Sequence, residues 1–340
     1  MSKLLPMNLN FSTLFLISVI AMFCLCCKDE DSSLTNDLIV FGSQANVGMT
    51  WKNGNQVPVT DGGKNSDVLA GLVSGSDTHL VGYQVTNGIR VAKYWKNGFE
   101  TSLSDGSINE EATAIAISGT DIYIAGHERN SNGRFGIKYW KNGIPVILQK
   151  DMAFVFVTGI AIVGSDIYLT GIESKQDSVI GKYWKNGLAR KVDQSAQISY
   201  AWGITSFEND VYIVGSSIKN GIEVAKYWKN GVENILTDGL SNAKATAITA
   251  TNNGIYIGGD ILRSPVYWVN GKLNTLNSLP NHTTDVNQIA VAREDIFVSA
   301  LIYDSSGKTS SLIWKNGEWQ EPFTGMNNEI KIEGLFIITR

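Results

Sequence analysis

The chain has 340 residues, 43% of them hydrophobic and 18% charged, with a formal net charge of −4 at pH 7. That length permits a sizeable core, and the negative balance argues against a basic nucleic-acid surface. Cys24, Cys26 and Cys27 are its three cysteines, so no disulfide framework or cysteine-based metal site is available beyond that cluster. The 34 glycines and 6 prolines suit many short strands joined by tight turns.

From the N-terminus, Lys3 precedes an uncharged, mostly apolar run from Phe11 to Cys27, which ends abruptly at Lys28-Asp29-Glu30-Asp31. The run is short for a membrane span and reads as a secretory signal. The segment resembles a bacterial lipoprotein signal, in which a cysteine becomes the acylated first residue. Cys27, followed directly by the acidic tract, is the expected site, with Cys26 as the alternative. Cys27-Lys28-Asp29-Glu30-Asp31 also resembles the export signal of Bacteroidota surface lipoproteins. That resemblance implies an outer-membrane, cell-surface protein held by acyl chains such as palmitate. The expected division is residues 1–26 signal, 27–36 lipidated cysteine and polar tether, and 37–340 a single folded domain.

Seven copies of one motif follow: Thr50-Trp51-Lys52-Asn53-Gly54, Tyr94-Trp95-Lys96-Asn97-Gly98, Tyr139-Trp140-Lys141-Asn142-Gly143, Tyr183-Trp184-Lys185-Asn186-Gly187, Tyr227-Trp228-Lys229-Asn230-Gly231, Tyr267-Trp268-Val269-Asn270-Gly271 and Ile313-Trp314-Lys315-Asn316-Gly317. A period of 40–45 residues with four short strands is the signature of a propeller blade. In one unit, strand a is Ala112–Ser118, strand b is Ile122–Gly126, a longer connection leads to strand c ending at Tyr139-Trp140, and Asn142-Gly143 turns into strand d, Ile144–Leu148. Asn-Gly suits that hairpin because both central residues take positive φ. Each repeated tryptophan would bury about 150–250 Å², roughly 4–6 kcal/mol at about 25 cal/mol per Å². The tryptophans therefore read as structural.

The last copy has only strand a, Lys331 to Ile338, and the first, starting at Asp37, has only b, c and d. Together they complete a blade, which predicts an all-β, seven-bladed β-propeller of four-stranded blades closed by both chain ends. The repeat is similar to other bacterial propellers built on Tyr-Trp-Lys-Asn-Gly hairpins. Turns a–b and c–d then lie on one face and connections b–c and d–a on the other. Residues 28–36 span at most about 30 Å, so the a–b/c–d face is expected towards the membrane.

Variable loops on the opposite face are where binding is expected. Phe154, Phe156, Tyr200 and Trp202 place aromatics near strand a in two successive units, suited to stacking on a sugar or gripping a peptide. Asp67, Glu111, Asp285 and Glu333 fall near the entrance ends of strand a, suited to a cation or a basic partner. His127 and His282 belong to outward connections, with no spacing that argues a shared metal, whereas His79 takes a core strand position. No phosphate loop or hydrolase motif occurs. No metal site and no cofactor are expected. The leading expectation is a non-catalytic binding or scaffold module for a protein or glycan. The alternatives are a carbohydrate-active enzyme using residues such as Glu111, Tyr200, His282 and Glu333, and a structural subunit of an envelope assembly.

Overall fold

A computed structural model describes residues 36–59, 65–175, 178–278, 280–307, 309–320 and 330–339. The expected signal, Cys27 and the tether up to residue 35 lie outside the described residues. From Asp37 to Ile338 the chain is one compact unit of seven four-stranded antiparallel sheets. Blade 2 shows the pattern: strand a is Asn109–Ser118, b Asp121–Arg129, c Phe135–Lys141 and d Ile144–Met152. Strand a of blades 1, 3, 4, 5 and 6 is Ser66–Ser74, Val155–Val163, Ser199–Phe207, Ala243–Thr251 and Thr283–Ala292. Blade 7 is composite: strand a is the C-terminal Ile330–Thr339, paired to b (Asn36–Gln44), c (Val47–Lys52) and d (Asn55–Pro58).

Hydrophobic clusters between blades hold the ring together. Trp140 packs with Val81, Ala92 and Leu103 of blade 1. Trp184 packs with Ile137 and Met152 of blade 2. The ring closes in the same way: Trp51 of blade 7 packs with Phe297 and Ile313 of blade 6, and Trp95 of blade 1 packs with Ile39, Phe41 and Phe336 of blade 7. All seven repeated tryptophans are 2% exposed or less. In six blades a glycine on strand b makes room for the close contact, and blade 6 has Ala300 at that position. A Cβ on Gly126 would lie 2.0 Å from the Glu111 carbonyl oxygen and 3.0 Å from the Trp140 ring. That clearance lets strand a lie close over strand b.

The rest of the motif builds a clasp at the a–b/c–d face. In blade 2 the Asn142 side-chain amide donates to Asp121 Oδ1 at 2.8 Å, and Asn142 Oδ1 accepts from the Ile122 N–H at 2.9 Å. Lys141 Nζ reaches Asp121 Oδ2 at 2.8 Å. Hydrogen bonds from Lys141 and Asn142 hold the Asp121 carboxyl below its usual range. The same Lys–Asp pair recurs in blades 7, 1, 3, 4 and 6. Blade 5 has Gly254 and Val269 at these two positions, so the unit that lacks the aspartate also lacks the lysine. There Asn270 still accepts from the Ile255 N–H at 2.9 Å.

Asn142 has φ 51°, a conformation that alanine resists. Asn142→Ala is expected to lower stability by about 1–2 kcal/mol, through backbone strain and the unpaired Ile122 N–H. Asn142→Gly should recover only the backbone part. Urea unfolding of the three proteins checks this.

One expectation is corrected. Strands b and c do not end at a long connection. They continue outward as hairpins, and in blade 1 strands Asp77–Thr86 and Ile89–Lys96 are joined by Asn87-Gly88 alone. Length variation here is largely variation in strand length.

Candidate functional site

Strand a lines a central channel of about 580 Å³, to which all seven blades contribute. Near its outer end each of blades 1–6 carries a β-bulge, falling at Leu69, Thr113, Thr158, Trp202, Thr246 and Asn287. A bulge re-aims a side chain, and these residues all line the channel. Some stitch neighbouring blades. Thr158 Oγ1 donates to the Ala201 carbonyl at 2.8 Å, Thr246 Oγ1 to Val286 O at 2.6 Å, and Asn287 Nδ2 to Ile332 O at 2.5 Å.

Strand-a carbonyls facing a strand-b glycine align the mouth of the channel. Gly126 faces Glu111 O, Gly82 faces Asp67 O and Gly42 faces Lys331 O. The equivalent mouth residues are therefore Asp67, Glu111 and Lys331. Phe156, Tyr200, Lys244 and Asp285, each two residues before the position of Thr113, complete the set. Glu333 sits two residues beyond Lys331, at the level of Thr113, and lines the channel.

The acidic candidates do not form one cluster, and each has a cation from this chain. Arg90 pairs with Glu111, Lys244 with Asp285, and Lys331 with both Glu333 and Asp67, the last at 3.4 Å. Burial pushes the Asp67 and Glu333 carboxyls up, although Lys331 opposes it. Among the described residues no group of His, Cys, Asp or Glu is arranged to hold a metal ion. His282 lies apart, with Nδ1 2.8 Å from the Pro280 carbonyl oxygen. His79 is buried against the Tyr94 hydroxyl at 2.6 Å.

The aromatic candidates divide. Tyr200 and Trp202 stack on each other, 5.3 Å apart and 7° from parallel, so each covers a face of the other. Phe154 and Phe156 instead remain 42% and 39% exposed. They meet His127 and Glu111 of blade 2 in one pocket of about 440 Å³, completed by Arg90, Asn109, Arg129 and Phe135. Four of the ten sequence-selected binding residues converge there, drawn from strands a and b of blade 2 and the start of blade 3. Strand d of blade 2 runs on to Met152, leaving only Ala153 and Phe154 before blade 3. That short link holds Phe154 at the rim.

Inside the pocket the Phe154 and Phe135 rings meet edge to face, 5.1 Å apart at 62°. His127 lies 5.2 Å from Phe156 and is 6% exposed, and its Nδ1 has no hydrogen-bond partner. Burial holds the imidazole below its usual pKa, so it is neutral at pH 7. The Arg90 backbone N–H donates to Asn109 Oδ1 at 2.9 Å, and its guanidinium lies over the Tyr83 ring. Arg90, Arg129 and Phe135 were not singled out from the sequence. They sit where strands b and c outrun the blade, and the only signal for them was the length of that segment.

A second groove of about 990 Å³ lies between blades 5 and 6, lined by Lys244, Asp260, Asp285 and Tyr303 among others. Burial pushes the Asp260 carboxyl up to about 6, although it accepts from the Thr284 hydroxyl at 2.6 Å. Its lysine is already engaged by Asp285.

No family model matches the chain, and a search of curated proteins finds no match. Solved structures do. A puromycin-hydrolyzing peptidase of Mycobacterium tuberculosis superposes with TM-score 0.53 at 9% identity, covering 80% of this chain and 53% of the peptidase. An acylaminoacyl peptidase of Pyrococcus horikoshii gives 0.51 at 12% identity, covering 85% and 51%. The β-propeller domain of the Trilobed protease of Pyrococcus furiosus gives 0.50 at 10% identity, covering 86% of this chain and 99% of that domain. The chain thus spans about half the length of the first two and the whole of the isolated propeller. At these identities the likeness is one of fold.

Proposed function

We propose that this chain is a non-catalytic binding module, held at the outer membrane by acylation of Cys27, that engages a protein or glycan through the b–c/d–a face of its propeller. The observation that carries this reading is the pocket of Phe154, Phe156, His127 and Phe135. It joins exposed aromatic surface, an unpartnered buried nitrogen and cationic side chains on the face that bears the longer hairpins. Its volume of about 440 Å³ falls within the usual range for ligand sites, about 300–1,000 Å³. The mouth acids are neutralised by their own lysines and arginine, which leaves them poorly placed for acid–base catalysis.

The test is site-specific photocrosslinking in the full chain on intact cells. A photoreactive phenylalanine analogue at position 154 should capture one reproducible species. The same analogue at Phe99, an 80% exposed residue at the c–d turn of the other face, should not. The double variant Phe154→Ala/Phe156→Ala should lose most affinity for the captured ligand without a change in melting temperature. Equal capture from both positions, or from neither, overturns the reading.

A further inference from the structure

We infer that the pocket between blades 2 and 3 takes the C-terminal residue of a polypeptide, its apolar side chain between the phenylalanines and its carboxylate on Arg129. This rests on the binding reading above and narrows it to one ligand chemistry.

The charges of the pocket are unevenly used. Arg90 and Glu111 neutralise each other, and Asn109 spends its carbonyl oxygen on the Arg90 backbone. Arg129 is different. Its guanidinium lies 5.5 Å from the Phe135 ring centroid, and it has no carboxylate partner among the described residues. A guanidinium on an aromatic face and without a counter-ion is suited to a planar carboxylate. With Glu111 already paired, no free acid in the lining opposes an anion.

The walls select the rest of the ligand. Phe135, Phe154 and Phe156 bring apolar surface, and the edge-to-face pair of Phe135 and Phe154 makes a cleft rather than a flat platform. A sugar ring carries hydroxyls around its circumference, and each needs a partner on burial. The lining has few polar groups left to serve them. An apolar side chain needs none. His127 forms part of the wall, 6% exposed and neutral, with its Nδ1 buried and unpartnered. A ligand with an apolar body and one carboxylate uses the phenylalanine walls and Arg129 together. The terminal residue of a peptide has that composition.

The experiment uses the full chain and a panel of short peptides ending in Phe, Leu, Ala or Asp, each as free acid and as amide. Oligogalacturonate is included as a carboxylate-bearing glycan. Binding is read by calorimetry. The Phe- and Leu-terminated free acids should bind best, with amidation weakening them about ten-fold or more, the scale of one charge-assisted hydrogen bond. Arg129→Gln should abolish the difference between acid and amide, and Phe154→Ala/Phe156→Ala should abolish binding of both. Equal binding of acid and amide overturns the carboxylate assignment. Binding of oligogalacturonate in place of the peptides, or of nothing in the panel, overturns the peptide assignment. In each case a species crosslinked at position 154 would leave the binding reading standing, and its absence would remove both.

Discussion

Deleting residues 330–340 is expected to abolish cooperative folding of the propeller. Ile332 and Leu335 are fully buried, and Ile330 and Phe336 are 9% exposed. Together they join the core on both sides of blade 7, with Trp51 and Ile313 on one side and with Phe41 and Trp95 on the other. The strand is also tied across both neighbouring interfaces. Asn287 Nδ2 of blade 6 donates to Ile332 O, the Ile332 N–H donates to Ser311 Oγ at 3.0 Å, and Lys331 reaches Asp67 of blade 1. Without it, strand Asn36–Gln44 becomes an open edge at the channel wall. Four large apolar side chains at about 1.5–3 kcal/mol each, with the lost ladder of hydrogen bonds, match the whole stability of an ordinary domain, about 5–15 kcal/mol. Near-ultraviolet circular dichroism should lose its thermal transition, and a synthetic peptide of residues 330–340 added in trans should restore it. An unchanged melting temperature in the deletion refutes closure by this strand. Gly42→Val is a milder version, because a Cβ there would stand 1.9 Å from Lys331 O.

Blade count and closure were legible because the residues that make them are local and repeated. Trp, Asn and Gly recur at one spacing since each packs one interface or turns one hairpin, and the half-units at the two ends have to complement each other. The clasp was partly legible: lysine and aspartate share a face, and Gly254 opposite Val269 shows the pair lost together. Other features depend on register across strands. The bulge that turns Thr113 and Trp202 into the channel adds one residue to strand a, which leaves no mark in composition. The lysine two residues before each of four tryptophans carries no mark of burial in the sequence. In the fold Lys138 is 6% exposed, with Glu110 at 2.9 Å and Glu128 at 2.6 Å, and Lys226 pairs with Asp193 in the same way. Burial pushes Asp193 up, but hydrogen bonds from Lys226 and Ser195 outweigh it and hold the carboxyl well below its usual range.

The candidate pocket was legible in half. Phe154 and Phe156 broke a pattern of small residues, and Glu111 and His127 were visible as polar exceptions near them. Arg90 and Arg129 reach the same space only because strands b and c of blades 1 and 2 extend past the blade as hairpins. Their placement follows from pairings such as Arg129 with Phe135 and Glu111 with His127, which no single segment reveals. A repeat exposes what its copies share, and a binding site is made from what they do not share.

Replacing one repeated tryptophan should cost about 3–5 kcal/mol, and the cost should be nearly the same in every blade. Trp140 is fully buried, wedged between the strand-b glycine Gly126 and the apolar cluster of Val81, Leu103 and Ile124. Trp140→Ala removes that contact and leaves a cavity the flanking sheets can only partly close, which sets the figure of about 3–5 kcal/mol. Trp140 Nε1 has no hydrogen-bond partner, so the ring stabilises by area, packing and the Lys138 ammonium 5.7 Å from its centroid. Trp140→Phe should therefore retain much of the stability, at a cost of about 1–2 kcal/mol. Trp314 supplies the contrast, since its Nε1 donates to the Asn277 carbonyl at 3.0 Å. Trp314→Phe should cost up to about 1 kcal/mol more than Trp140→Phe, for the lost hydrogen bond alone, since the Asn277 carbonyl keeps the Trp319 Nε1 donor at 3.1 Å. Because the two residues serve interfaces on opposite sides of the ring, the double alanine variant should approach the sum of the singles. Chemical unfolding of the singles and the double checks both claims. A double variant no less stable than either single would mean that one interface already fails with its neighbour, and that the blades do not contribute as separate units.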